Sequence, residues 1–276
     1  LTQPAVSKQM KALEDHLGVH LFVRCGHGVA LTPAGQRLLE YATKITRLAE
    51  EAAMAVEEFR TSARGHLRIG TSMTVGSYLL PRILSEYCAR HPGYRVSVAI
   101  ANSEGVLDRI TAGTVDVGLV GIKVRRPNLV ALPFWRDELK LIVGPQHPWA
   151  TSPPATAASL AGQLFILREK GSGMRKVFDE WLTATGTELG PVMEIANTEA
   201  ILRLVEIGMG VSVLSDFAIA RSVALGTVKA LSLPFLSIER DFYLVHGAHE
   251  KPREPLKSFV EFLTERFRGS AEATPQ

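Results

Sequence analysis

The apolar positions of the first sixty residues follow helical spacing twice. Val6, Met10, Leu13 and Leu17 recur at intervals of four, three and four, which predicts a helix over 3–17 with one apolar stripe. Thr2 is placed to cap it, Pro4 is tolerated in a first turn whose N–H groups are unpaired anyway, and Gly18 fits the stop. Two short apolar runs, 19–23 and 29–31, then flank Gly26 and Gly28, the pattern of a small β-hairpin. Thr32 and Pro33 repeat the cap-and-proline signal. Behind them Leu38, Ala42, Ile45, Ala49, Ala52, Val56 and Phe59 alternate spacings of four and three. That is a heptad seam, expected on a long helix that pairs with another subunit.

After the break "TSARGHL" at 61–67 the pattern changes. Apolar runs at 67–72, 95–101, 116–121, 139–144, 163–168, 210–215, 227–233 and 240–247 predict strands. Helical patterns lie at 77–90, 103–112, 173–184, 198–207 and 254–267. Such alternation predicts an α/β domain with a mostly parallel sheet, long enough for two lobes. The terminal "GSAEATPQ" is expected to be disordered.

The chain has 276 residues, is 46% hydrophobic and 21% charged, and carries a net charge of +3. This is a globular composition with a mildly basic balance, compatible with a polyanionic partner. Two cysteines, Cys25 and Cys88, make no disulfide framework and are read as reduced thiols in a cytoplasmic protein. No apolar run is long enough for a membrane span. An enzyme is disfavoured. Residues 70–74 lack the second glycine of a nucleophile elbow, "GSGMRK" is too short for a phosphate loop, and "HGAHE" (246–250) has its His and Glu in the wrong order for an inverted zinc-protease motif. No catalytic residue, metal site or resident cofactor is predicted.

"TQPAVSKQMKALEDHLGVHLFVR…ALTPAG" closely resembles the end of the helix-turn-helix of LysR-type transcriptional regulators. The resemblance extends in order along the whole chain. It implies a partial winged helix-turn-helix (1–31), a dimerising linker helix (32–64) and a two-lobed α/β regulatory domain of the periplasmic-binding-protein type 2 fold (65–270). Its lobes are expected at about 65–142 plus 246–270, and at about 143–245. The helices that normally precede "LTQPAVS" are absent, so the chain is expected to be truncated, leaving the stripe of Val6, Met10 and Leu13 uncovered. A periplasmic solute receptor would share the lobes but has no use for residues 1–60.

By this resemblance Gln3, Pro4, Ser7 and Lys8 face DNA. Ala5 can touch a thymine methyl, and Lys11 shares the outer side. Arg24 and His27 are wing candidates for backbone contacts, and Thr32 is a cap that can also touch a phosphate. Two such helices on one seam would read a pseudo-palindromic promoter site in double-stranded DNA. A homodimer, a tetramer built from it and RNA polymerase are the further expected partners. A small-molecule effector is expected between the lobes, where helix N-termini make anion sites. The candidates are Thr71, Ser72 and Thr74 after the first strand, Asn102, Ser103 and Gly121 on the first lobe's wall, Arg168, Ser172 and Arg175 in "REKGSGMRK", and Asn197 and Thr198. Each Ser, Thr or Asn alone also fits a plain helix cap, and "GSG" a tight turn. The basic run Lys123, Arg125 and Arg126 fits a solvated loop. "RE.GSG.R" resembles the branch that includes regulators of sulfur assimilation and carbon fixation, which implies a small anion as effector.

Overall fold

The computed structural model describes residues 2–25, 28–61, 65–154, 156–248 and 254–271. The chain forms two compact units, Leu1–Thr61 and Ser62–Gln276.

The first unit holds α1 (Gln3–Leu17), the hairpin β1 (Phe22–Cys25) and β2 (Gly28–Leu31), and α2 (Pro33–Thr61). Gly18 ends α1 in the left-handed region, with φ 68° and its N–H on the Glu14 carbonyl. Thr2 occupies the cap position, but its hydroxyl makes no cap bond. Thr32 does cap α2: its Oγ1 accepts from the Gly35 N–H at 3.0 Å. The turn after α1 is held by Glu14, whose carboxylate accepts the N–H groups of Leu21 at 2.6 Å and Phe22 at 3.1 Å. Those two bonds hold its carboxyl below the ordinary range. Leu21 is the buried centre of this corner, yet α1 buries none of its own residues and leaves Val6 exposed. Of the stripe, Val6 is exposed while Met10 and Leu13 are half-buried. Along α2, Ile45 is 67% exposed and Ala49 and Ala52 are exposed, while the side chains of Val56 and Phe59 lie outside the description.

The second unit is built on one seven-stranded sheet. Its elements begin with β3 (Gly65–Ser72), a π-helical segment Val75–Leu79 running into α3 (Leu80–Arg90), β4 (Tyr94–Ala101), α4 (Ser103–Thr111), β5 (Val117–Val120) and β6 (Leu129–Val143). There follow β7 (Phe165–Leu167), α5 (Gly173–Thr185), β8 (Val192–Glu194), α6 (Thr198–Glu206), β9 (Ser212–Ser215) and α7 (Asp216–Ala224). The chain closes with β10 (Lys229–Leu231), β11 (Ile238–Gly247) and α8 (Leu256–Ala271). Residues 269–271 thus continue a helix rather than a disordered tail, and 272–276 lie outside the described residues.

The expectation of a mostly parallel sheet is corrected. β3 is parallel to β4 and β5, with α3 and α4 as the crossovers that parallel neighbours need. However, β11 runs antiparallel to β5 and β6, and β6 antiparallel to β9 and β10. The reason is that β6 and β11 are long return strands paired over their length, from Leu129↔Gly247 to Leu139↔Ile238. The sequence reading found only the last third of β6, because Pro133 and the charged run 136–138 break its apolar pattern. Pro133 is tolerated beside a register shift at Phe242/Tyr243.

Two cores meet along these strands. One surrounds Phe165, Phe178, Ile201 and Val213 and includes Leu139 and Ile238. The other sets Leu67, Ile69, Tyr87 and Phe259 around Phe134 and Phe242, and α4 covers the opposite face through Val106 and Ile110. β6 and β11 therefore change lobes in their middles. Trp149 and Trp181 pack on the first core and Trp135 on the second.

Candidate functional site

Strand ends and helix starts converge between the two cores on a narrow cavity of about 10 Å³. From one lobe come Ser72, Met73 and Thr74 at the end of β3, and Asn102 with Ser103 at the start of α4. From the other come Arg168 after β7, and Ser172, Gly173 and Met174 at the start of α5. Arg240 reaches the cavity from β11. The first turn of each helix carries N–H groups without partners in the helix, at the positive end of its dipole. Closeness is enforced by glycine: a Cβ on Gly173 would lie 2.7 Å from the Gly121 carbonyl oxygen, across the lobes.

Both arginines are buried and aimed by carboxylates. Arg168 donates Nε and Nη2 to Glu169, at 2.7 and 2.9 Å, and Nη1 to the Thr198 hydroxyl at 2.9 Å. Arg240 is the cross-strand neighbour of Asp137 and donates Nε to its Oδ2 at 2.8 Å. Its Nη2 lies 2.7 Å from the same oxygen but forms no directed bond. Ser215 donates to the other oxygen of Asp137 at 2.8 Å. Burial pushes the Asp137 carboxyl up and the Arg240 guanidinium down, against their mutual attraction, and the charge of Arg168 lowers Arg240 further. The hydroxyls of Ser72 and Ser103 are buried and unpartnered among the described residues.

Of the expected effector residues, Ser72, Thr74, Asn102, Ser103, Arg168 and Ser172 share the cavity. Thr198 stands behind it as the support of Arg168. Thr71 and Gly121 form its backing. The Thr71 hydroxyl points to the carbonyls of Ser72 and Leu119, and Gly121 lies against Arg240 and Phe242. Two expected residues do not line this cavity. Arg175 is drawn away by Asp179, one helical turn on, at 2.8 Å and by Glu194 at 3.2 Å, and it lines a separate open groove along α5. Asn197 is an exposed cap whose amide oxygen accepts the Ala200 N–H. Arg126 departs from the expected solvated run by pairing with Glu104 and Asp108, each at 2.9 Å.

Sequence reasoning missed Arg240, Asp137 and a contact across the lobes. A period-two signal was there for the pair: Arg240 falls in register with buried Ile238, Phe242 and Leu244, and Asp137 with Leu139 and Leu141. Across the cleft the Tyr78 hydroxyl donates to Glu199 at 2.8 Å, and Lys176 lies 3.8 Å from Glu104.

In the first unit Gln3, Pro4, Ser7, Lys8 and Lys11 are exposed on α1, Ala5 is half-buried, and Arg24 is exposed on β1. Thr32 commits its hydroxyl hydrogen to the His20 carbonyl at 2.7 Å. His27 lies outside the described residues, as do His249 and Glu250 of "HGAHE".

Family models match both units: the bacterial regulatory helix-turn-helix of the lysR family over residues 1–36, and the LysR substrate binding domain over 60–268. The chain belongs to the LysR family of transcriptional regulators. Among its curated LysR relatives is the RuBisCO operon transcriptional regulator of Allochromatium vinosum, 31% identical over 95% of this chain and 87% of that protein. Another is the transcriptional activator CmpR of Synechocystis, 28% identical over 95% and 86%. The first agrees with the carbon-fixation side of the resemblance carried by "RE.GSG.R". The regulatory domain of Synechocystis CcmR, solved in complex with 2-PG, superposes with a TM-score of 0.69 and 27% identity, over 75% of this chain and all but 1% of that one. CbnR, a LysR family transcriptional regulator, has the same fold at 22% identity, with a TM-score of 0.67 over 97% of this chain and 90% of its own. No described helix is long and apolar enough to cross a membrane.

Proposed function

We propose that this LysR-type regulator reads double-stranded DNA through α1 and responds to a small anion held between its lobes. The observation that carries the reading is the convergence on one cavity of two buried arginines, two unpartnered serine hydroxyls and the N-termini of α4 and α5. An oxyanion of sulfur or a small phosphorylated or carboxylated metabolite fits that chemistry. The CcmR regulatory domain, solved in complex with 2-PG, supports the reading that this domain binds a small molecule.

The exposed Gln3, Ser7, Lys8 and Lys11 give α1 base-reading and phosphate-binding groups. The uncovered seam of α2 joins two chains into a homodimer, and dimers pair into a tetramer. Two α1 helices then meet half-sites about one DNA turn apart. The ligand acts by binding one arrangement of the lobes better than the other, which changes how the paired chains hold DNA.

Thermal unfolding of the full chain against sulfate, sulfite, thiosulfate, phosphorylated sugars and dicarboxylates tests the site. A ligand at about a hundred times its Kd adds roughly 2.7 kcal/mol. The expected result is a hit lost in Ser172→Ala and kept in Arg175→Ala. No shift with any of these anions overturns the reading.

A further inference from the structure

Ser215 stands where local chemistry calls for a helix cap and does something else. At the N-cap of α7 a serine hydroxyl ordinarily accepts an N–H of the first turn, but this one makes no cap bond. The residue is fully buried, at 0% exposure. Its hydroxyl donates instead to Oδ1 of Asp137 at 2.8 Å, and its N–H donates to the Met174 sulfur at 3.3 Å. The sheet brings these groups together. Ser215 at the end of β9 pairs with Leu139 on β6, and Asp137 lies two residues along β6 on the same face. On its other edge β6 pairs with β11, where Asp137 faces Arg240.

These contacts join two parts of the cavity wall. Met174 lines the cavity from the start of α5 and Arg240 lines it from β11, while Ser215 and Asp137 connect the two from behind. Arg240 meets only Oδ2 of Asp137, through Nε at 2.8 Å and Nη2 at 2.7 Å. A carboxylate held through one oxygen is free to turn, and the guanidinium turns with it. Ser215 pins the other oxygen. Burial raises the Asp137 carboxyl, and the Arg240 charge and the Ser215 hydroxyl both oppose that rise. The hydroxyl thus also favours the ionised carboxylate that Arg240 needs.

Resting on the anion reading above, we propose that Ser215 is a positioning residue of the effector site: it fixes the Asp137 carboxylate so that Arg240 is aimed at the ligand, without touching the ligand itself. A serine that only fills space predicts a different outcome. Cysteine has nearly the same shape but an S–H that donates weakly, so it preserves a packing role and loses an aiming role.

The experiment compares the full chain with Ser215→Ala and Ser215→Cys. Calorimetric titration with sulfate and with methyl phosphate gives the affinity, and NMR of the arginine Nε–H groups reports on the aim. The Arg240 signal is identified by its loss in Arg240→Gln. The Arg168 signal, identified by its loss in Arg168→Gln, is the internal control, because Glu169 and not Asp137 holds that Nε–H. Both Ser215 variants are expected to bind the anions roughly three- to tenfold more weakly, the range of one hydrogen bond. The Arg240 signal should shift and exchange its hydrogen faster, with the Arg168 signal unchanged. Parent affinity in Ser215→Cys overturns the proposal, by reducing the residue to packing. An unmoved Arg240 signal overturns it even where affinity falls, and so does a movement of both arginine signals together, which marks a general loss of structure. The anion site survives each of these results as long as the parent chain binds sulfate or methyl phosphate. If the parent binds neither, the anion reading falls and the proposal falls with it.

Discussion

Asp137 and Arg240 show why a charge can sit in a core. They are direct partners on neighbouring antiparallel strands, so the ladder itself places guanidinium against carboxylate, and Ser215 fills the remaining oxygen. Removing one member leaves the other buried and uncompensated, and breaking such a pair costs about 3–5 kcal/mol. Arg240→Gln is expected to lower stability by that amount in denaturant unfolding of the second unit. The double variant with Asp137→Asn should recover most of the loss, since neither group is then charged. A loss below about 1 kcal/mol in the single variant would contradict the buried-pair account. Most of the cavity's small polar residues were legible from their places before helices. Arg240 and Asp137 were not, because a charged residue in a strand reads as solvent-facing until its register is known. Arg175 misled for the opposite reason: it lies beside the glycine turn in sequence, yet Asp179, four residues on, holds it away from the cavity.

The elements that carry the site are helices entered from strand ends, and most helix starts and stops follow from local chemistry. Asn102 and Asn197 cap α4 and α6 with their side chains, and Gly18 and Gly186 stop α1 and α5 in the left-handed region. At Gly173 the requirement is tertiary. Its φ is ordinary for a helix start, and what excludes a side chain is the Gly121 carbonyl 2.7 Å from where a Cβ would stand. Gly173→Ala should force the start of α5 away from β5, costing about 1–3 kcal/mol as overpacking does. It should also weaken anion binding by shifting Ser172 and Met174. Unchanged unfolding and unchanged binding would show that the two lobes are not held this closely.

For the second unit as a whole, the lobes share β6 and β11 and meet again at the cleft through Tyr78–Glu199. The Tyr78 hydroxyl is held above its ordinary ionisation range, by burial first and then by Glu199, so it remains a donor at neutral pH. It does not line the cavity and bears on binding through how firmly the lobes close. Tyr78→Phe removes a bond worth about 0.5–1.5 kcal/mol, so the apparent Kd for an anion should rise roughly two- to tenfold. The direct cavity contacts would be unaltered. An affinity equal to that of the parent would mean that this contact does not weigh on closure.

The sequence by itself determined the local half of this protein. Helix periodicity, caps, glycine stops and the heptad of α2 depend on residues within a few turns of one another, so the pattern 1–61 and the alternation after it could be read directly. The ordered string "QPAVS…LE…LG…LF.R" carried the family. Tertiary structure alone decided what lies far apart in the chain: the antiparallel return of β6 and β11, the pairing of Asp137 with Arg240 over 103 residues, and the meeting of Ser72, Ser103 and Arg168 at one cavity. Burial and register are properties of the packed sheet, and a charge, a serine or a glycine takes its role from the neighbours that packing brings to it.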